Sequence, residues 1–563
     1  MKMQTKQILA LLLALILCLG IFAGCDTNQP AETSKPAETN KPAEKNRPTE
    51  TTAPAETTPP AELKNVDIYP LDSDKTFTVA KRTSAQNMNE FDNAILWNEI
   101  TGVEVNWIAW TDEQLNMAFN TDSLPDAIAL GSGMDKAKLN EYGESGMLVN
   151  FMDYLDLMPN FKRGIEKYPE TLDYIKSESG AVYSLPRLGT TSMTHDNILV
   201  RTDMLKAAGW DELPATADEF LQCVADVQTH YSAIDPAYKA FNAYSSAWLQ
   251  WDRNVSLIHF FFPSFGDLMQ ATLTVDANDK VVLGASTEQY KRLMTFLNKL
   301  ATSDAFAYGK DIYAEDGTNA QADAIAGKNA FLMNAWFMDE SHFPSGNIDL
   351  TVQSPLTSEW QDEKRFDPKS NVLWQLNCIS SKCEDIETMV KWFDSFYAQQ
   401  DDPLNADGTV WGMSSDLGIY GVDFEIQKEA GTYTLLPHEG YNTGSTWNIN
   451  NSIGSIGLFE WMYSEDSNTG LEALGVGTLN NTWPYRVETF DINRLVLTQE
   501  ESDIYVENWT NISAHITQWT AAFITGDKNV EADWEEYVKG LESMDLQEVI
   551  DAYQAAYDRF QQG

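Results

Sequence analysis

Residues 76–130 read TFTVAKRTSAQNMNEFDNAILWNEITGVEVNWIAWTDEQLNMAFNTDSLPDAIAL. The spacing of apolar residues in this stretch switches repeatedly between a period of two and one near 3.6. Thr76 to Ala80 is rich in β-branched and apolar side chains and predicts a strand. Asn93 to Ile100 predicts a helix, and Thr101-Gly102 a turn that ends it. Val103 to Ile108 predicts the next strand, Gln114 to Asn120 a second helix, and Pro125 to Leu130 a third strand. Strands separated by helices of this length predict βαβ units, a largely parallel sheet and the α/β class.

Further along, Ser/Thr-x-x-Glu/Gln patterns predict helix starts at Thr216–Glu219, Ser286–Gln289, Ser381–Glu384 and Thr498–Glu501. In such a box the hydroxyl and the residue three along satisfy free backbone donors. Thr272 to Leu283 predicts a hairpin turning at Ala277-Asn278-Asp279. Asp276-Ala277-Asn278 opens like a calcium loop. Lys280 and Val281 then stand where a ligand and the obligatory glycine belong, and Thr287 where Glu is needed, so the segment reads as a turn.

The chain has 563 residues and a formal charge of −46. A body of about 500 residues is too long for one core and predicts two or more lobes or domains. The negative field opposes nucleic acid and anionic membrane surfaces, so no nucleic-acid partner is expected. No GxSxG elbow, HExxH pair or GxxxxGK[ST] phosphate loop occurs. Of the cysteines, Cys223, Cys378 and Cys383 lie in the body. Cys378 and Cys383 could bridge, but the expectation is small buried thiols, and no second cysteine or histidine pair accompanies them to make a zinc site. No metal or cofactor is expected.

The N-terminus has its own logic. Lys2 and Lys6 precede an apolar run from Ile8 to Phe22, too short to span a bilayer, then Ala23-Gly24-Cys25. This run resembles the lipobox of bacterial lipoproteins, with Phe22 where that pattern prefers Leu. The resemblance implies cleavage after Gly24 and a lipid on Cys25. Residues 30–62 repeat with a period of six (PAETSK, PAETNK, PAEKNR, PTETTA, PAETTP, PAE). With no apolar side chain larger than Ala besides Pro, they are expected to stay disordered and extended, as a tether.

From about residue 74 onward the body resembles the extracellular solute-binding proteins of carbohydrate ABC importers, the maltose-binding-like group and its long lipoprotein branch. The blocks that carry this are Thr101–Val105, Leu124-Pro125-Asp126, Gly180–Pro186, Leu199–Leu205, Leu213–Phe220, Ala326–Phe331, Phe523–Gly526, Trp534–Val538 and Tyr553–Arg559, in that order. Each is weak singly; the ordered set is specific. Val227 to Ala240 lacks the calcium loop that relatives similar to polyuronate binders often carry there.

The resemblance implies a two-lobe periplasmic-binding-protein-like fold of type II, closing by a hinge on a ligand between the lobes. The divisions it implies are a signal peptide at 1–24, the tether at 25–64, a first lobe of 65–196 with 375–450, and a second of 197–374 with 451–563. It implies a monomer that captures a carbohydrate, held by lipid on the outer face of the cytoplasmic membrane and serving ABC permease subunits. It implies ligand contacts at Ser132 in the Gly131–Gly133 loop, at Trp336, at Trp374 and Gln375 where the chain recrosses the hinge, and at Trp248 and Trp251. Sugar C–H faces stack on aromatic rings, which is why tryptophans head this set. A surface glycoside-processing enzyme and a non-transport adhesin or sensor partner are the alternatives.

Overall fold

Phe77, Val79 and Ala80 point into an apolar interior, and the strand that carries them, Thr76–Arg82, lies at the centre of the first sheet. The computed structural model describes residues 64–82, 87–129, 134, 136–189, 197–244, 249–252, 256–314, 318–333, 349–368, 372–374, 376–414, 418–427, 432–436, 457–458, 462–463, 477–478 and 480–562. These lie in the compact unit Glu62–Gly563. Cys25 and the repeats fall outside the described residues.

Thr76–Arg82 pairs in parallel with Glu104–Trp110 over its full length and with Ala127–Ala129. Asn377–Ile379 closes the other edge antiparallel to Ala127–Ala129. The predicted helices lie between these strands, as Asp92–Thr101 and Asp112–Asn120. Gly102 ends the first of them at φ +70°, and a Cβ there would meet the Leu71 carbonyl oxygen at 2.2 Å. Glycine alone supplies that left-handed turn without strain or clash.

The first lobe's core forms around Trp97, Trp107, Trp392 and Phe396, with Trp97 and Phe396 centroids 5.0 Å apart. Chain from far downstream completes it. Val372–Leu373 and Gly457–Leu458 flank Arg187–Leu188, and Met462–Tyr463 joins the sheet of residues 411–435. By strand pairing, residues 372–373, 411–414, 418–420, 424–427, 432–435, 457–458 and 462–463 belong with this lobe.

A separate core defines the second lobe. Phe220 stands edge-on to Phe241, Phe261 and Phe331, and the helix Gln499–Thr525 adds Phe523 and Ile524. Here the largely parallel expectation is corrected. Ile198–Arg201 runs antiparallel to both Phe331–Met333 and Leu350–Val352, and only Phe241–Asn242 is parallel to Phe331–Met333. A parallel partner is dictated where a helical crossover links the two strands, as it does between Thr76–Arg82 and Glu104–Trp110 in the first lobe.

Local capping signals are followed in part. Thr216/Glu219 and Thr498/Glu501 form complete capping boxes, and so do Thr111/Gln114. Ser286 does not cap; Thr287 does, which frees Gln289 to turn inward and donate to the carbonyls of Phe262 and Leu268 at 2.8 Å. The helix expected to start at Ser381 starts at Ile386, capped by the Asp385 carboxylate. The hairpin forms as Leu273–Val275 and Val281–Leu283, with Asp276 Oδ1 accepting the amides of Asn278 and Lys280. That carboxylate serves the turn. Cys223, Cys378 and Cys383 are free and buried, and burial raises all three thiols.

Two carboxyls sit deep in the first lobe. Asp394 accepts the Phe161 amide at 2.7 Å and the Asn160 side chain at 2.8 Å, and Asn160 pairs with Asn65 at the start of the described chain. Asp423 accepts from Asn93 at 3.0 Å. Burial pushes both carboxyls up to about 7, against the pull of these donors. The folded state thus binds more protons than the unfolded one between about pH 4 and 7. Their contribution is full below that window and is lost as pH rises through it, by at most about 1.4 kcal/mol per unit for each group. We expect melting temperature to fall between pH 5 and 7.5, and Asp394→Asn to flatten that slope. A wild-type slope in the variant would show that Asp394 is ionised throughout.

Candidate functional site

In open α/β sheets ligands bind outside the carboxyl ends of the strands. In the first lobe that edge is where Thr76–Arg82, Glu104–Trp110 and Ala127–Ala129 end and where antiparallel Asn377–Ile379 begins. Trp374 stands three residues before that beginning. Its ring is half-buried and packs against both apolar clusters of the lobe. Its Nε1 donates to the Met134 carbonyl at 3.2 Å, tying the crossing segment to the chain that leaves Ala127–Ala129.

The second lobe presents the matching edge at Asn242, Met333 and Val352, with Ile198 starting beside Met333. Polar side chains behind the edge are committed to the frame. Asn197 donates to Thr478 Oγ1 at 2.5 Å, Gln353 to the Pro214 carbonyl at 2.8 Å, and Asn481 to the Val352 carbonyl at 2.7 Å. Tyr244 differs. It follows Phe241–Asn242, is half-buried, and holds φ at +67° with its amide on Asn242 Oδ1 at 2.8 Å. A bulky residue in the left-handed region costs on the order of 1 kcal/mol or more, and such positions cluster at binding sites. Sequence reasoning missed Tyr244; an aromatic just past a short apolar run was the available signal, and its backbone angle was not.

Of the six expected ligand contacts, Ser132, Trp248, Trp336 and Gln375 lie outside the described residues. Trp374 is placed at the first lobe's edge. Trp251 is corrected to a packing residue. It is 2% exposed in the second core, its ring 5.9 Å from Trp509 and its Nε1 on Thr517 Oγ1 at 3.1 Å. A side chain so enclosed has no face left for a ligand.

The strongly raised carboxyls, Asp394 and Asp423, are fully buried and held by hydrogen bonds within the first lobe, so their perturbation is structural. Among the described residues no group of three or more His, Cys, Asp or Glu side chains is placed to hold a metal ion. No described helix is long and apolar enough to cross a membrane.

Two α/β lobes with separate cores, between which the chain passes more than once, define the periplasmic-binding-protein-like fold. The comparisons agree. The chain is 22% identical over 518 residues to the fructooligosaccharide ABC transporter substrate-binding protein FusA of Streptococcus pneumoniae, covering 88% of this chain and 92% of that one. The structure of FusA in complex with kestose matches at a TM-score of 0.67 and 21% identity, over 86% of this chain and 99% of that one. Alginate-binding protein AlgQ2 without calcium ion matches at 0.65 and 17%, over 87% and 99%. An HMO-binding solute-binding protein from Bifidobacterium longum infantis matches at 0.62 and 15%, over 86% and 99%. No family model matches the chain.

Proposed function

We propose that the protein is an extracellular substrate-binding lipoprotein that captures an oligosaccharide for an ABC importer, with Cys25 lipidated and residues 25–64 serving as the tether. The observation that carries this is the match in sequence and fold to an oligosaccharide-binding relative along nearly the whole length of both chains. The placement of Trp374 supports it: a half-buried indole at a strand edge offers one flat face to a sugar ring while its other contacts hold it still. Trp336, Trp248, Gln375 and Ser132, together with Tyr244, complete the proposed site. The ligand class that the relatives favour is a short neutral oligosaccharide, with fructooligosaccharides of the size of kestose first in line. The lobes close on it and release it unchanged to the permease.

Calorimetry with kestose, nystose, alginate oligosaccharides and milk oligosaccharides, followed by chromatography of the recovered sugars, tests the reading. The expected result is binding at micromolar concentration or tighter for at least one neutral oligosaccharide, with the sugar recovered intact. Bond cleavage would move the protein to the enzymes, and no binding to any of them would sink the capture reading. In cells, Cys25→Ala should shift the protein from the membrane fraction to the soluble one.

A further inference from the structure

We propose that an ionic clasp between the lobes, formed by Asp173, Tyr174 and Lys136 of the first and Asp491 and Arg494 of the second, holds them together and sets how far the ligand-free protein stays closed. The contacts join residues more than 300 positions apart. Arg494 Nη2 donates to Asp173 Oδ2 at 2.8 Å, and the Tyr174 hydroxyl donates to Asp491 Oδ2 at 2.9 Å. Lys136 Nζ reaches the carbonyls of Asn493 at 3.3 Å and Leu495 at 3.5 Å.

Each half of the clasp is fastened to its own lobe. Ile175, beside Asp173 and Tyr174, lies in the first core, and Ile492 and Leu495 lie in the second. The Arg494 guanidinium stacks on Phe490 at 5.3 Å and on Phe560 at 4.9 Å. Asp491 caps the turn Ile492–Arg494 through the Asn493 amide at 2.9 Å. Both partners are therefore pre-oriented, so little side-chain entropy is lost when they meet. Partial burial strengthens the pairing over that of two surface charges: the side chains of Arg494 and Asp173 are 29% and 20% exposed. Burial also raises the Asp491 carboxyl and lowers the Lys136 ammonium to about 8, as expected where water is displaced.

The clasp can open reversibly. Asp173 also holds Lys176 of its own lobe at 3.1 Å, so parting from Arg494 does not leave it bare. None of these residues is among the proposed ligand contacts. Their effect on affinity would come through the open–closed equilibrium.

The test needs no sugar, so its outcome is separate from that of the capture reading. Spin labels on Met117→Cys and Ile234→Cys, both well exposed and one on each lobe, report the interlobe distance in the full chain carrying Cys18→Ser and Cys25→Ala. The native body cysteines are buried. Arg494→Gln or Asp173→Asn should each raise the ratio of long to short distances roughly tenfold, the size expected for one charge-assisted hydrogen bond. The double variant should open no further than either single one. An unchanged distribution in Asp173→Asn, which leaves the Arg494 stacking intact, would overturn the clasp. So would additive opening in the double variant.

Discussion

Trp251→Ala should lower the unfolding free energy by about 3–5 kcal/mol, the range for deleting a large buried aromatic. The variant empties a site closed by Trp509 and leaves Thr517 without the indole N–H at 3.1 Å. Trp251→Phe should recover more than half of the loss, because most of the buried area returns and only the hydrogen bond does not. Ligand affinity of the folded fraction should stay near wild type. Denaturant melts read the first effect and calorimetry on folded protein the second. A variant that melts normally but no longer binds would return Trp251 to the ligand site.

Trp374→Ala should show the opposite pattern. Loss of a stacking face and of its buried area amounts to roughly 2–4 kcal/mol of binding, or about thirty- to a thousand-fold in affinity. Stability should change less, since the ring is already half-exposed. Trp374→Phe separates two contributions. It keeps an aromatic face but loses the bond to the Met134 carbonyl, and thus the tie to the chain leaving Ala127–Ala129. If Phe binds like wild type, stacking dominates; if it binds like Ala, the tie does. Trp336→Ala, made alongside, should cost at least as much as Trp374→Ala. Near-wild-type affinity in both alanine variants would place the stacking platform elsewhere, with Tyr244 next.

Much of the fold is written locally. The alternation of strand and helix from Thr76 to Ala129 follows from side-chain period, and Gly102 ends its helix because only glycine fits against Leu71. The boxes at Thr216 and Thr498 form because each partner lies within one turn of the other. Where two hydroxyls or a hydroxyl and a carboxylate competed, at Ser286/Thr287 and Ser381/Asp385, the pattern misplaced the start by one or more residues. Burial of Gln289 and of Cys383 depends on what packs over them, which no local pattern carries.

The candidate site was legible as a class of residue and only partly as a set. Trp251 and Trp374 look alike in the chain, each an indole near a short apolar run, yet one is sealed under Trp509 and the other stands at a strand edge. Their difference is set by residues 240 to 266 positions away. The clasp of Asp173 with Arg494 was invisible for the same reason, since a charged pair has no signature until folding brings its halves together. The leader-like start, the period-six repeats, the α/β alternation and the likeness to carbohydrate-binding relatives are legible along the chain, because each depends on near neighbours or on order. The antiparallel entry of Ile198–Arg201, the burial of Trp251, the strained Tyr244 and the junction of the lobes were decided by tertiary structure, because each depends on which distant surfaces exclude water from one another.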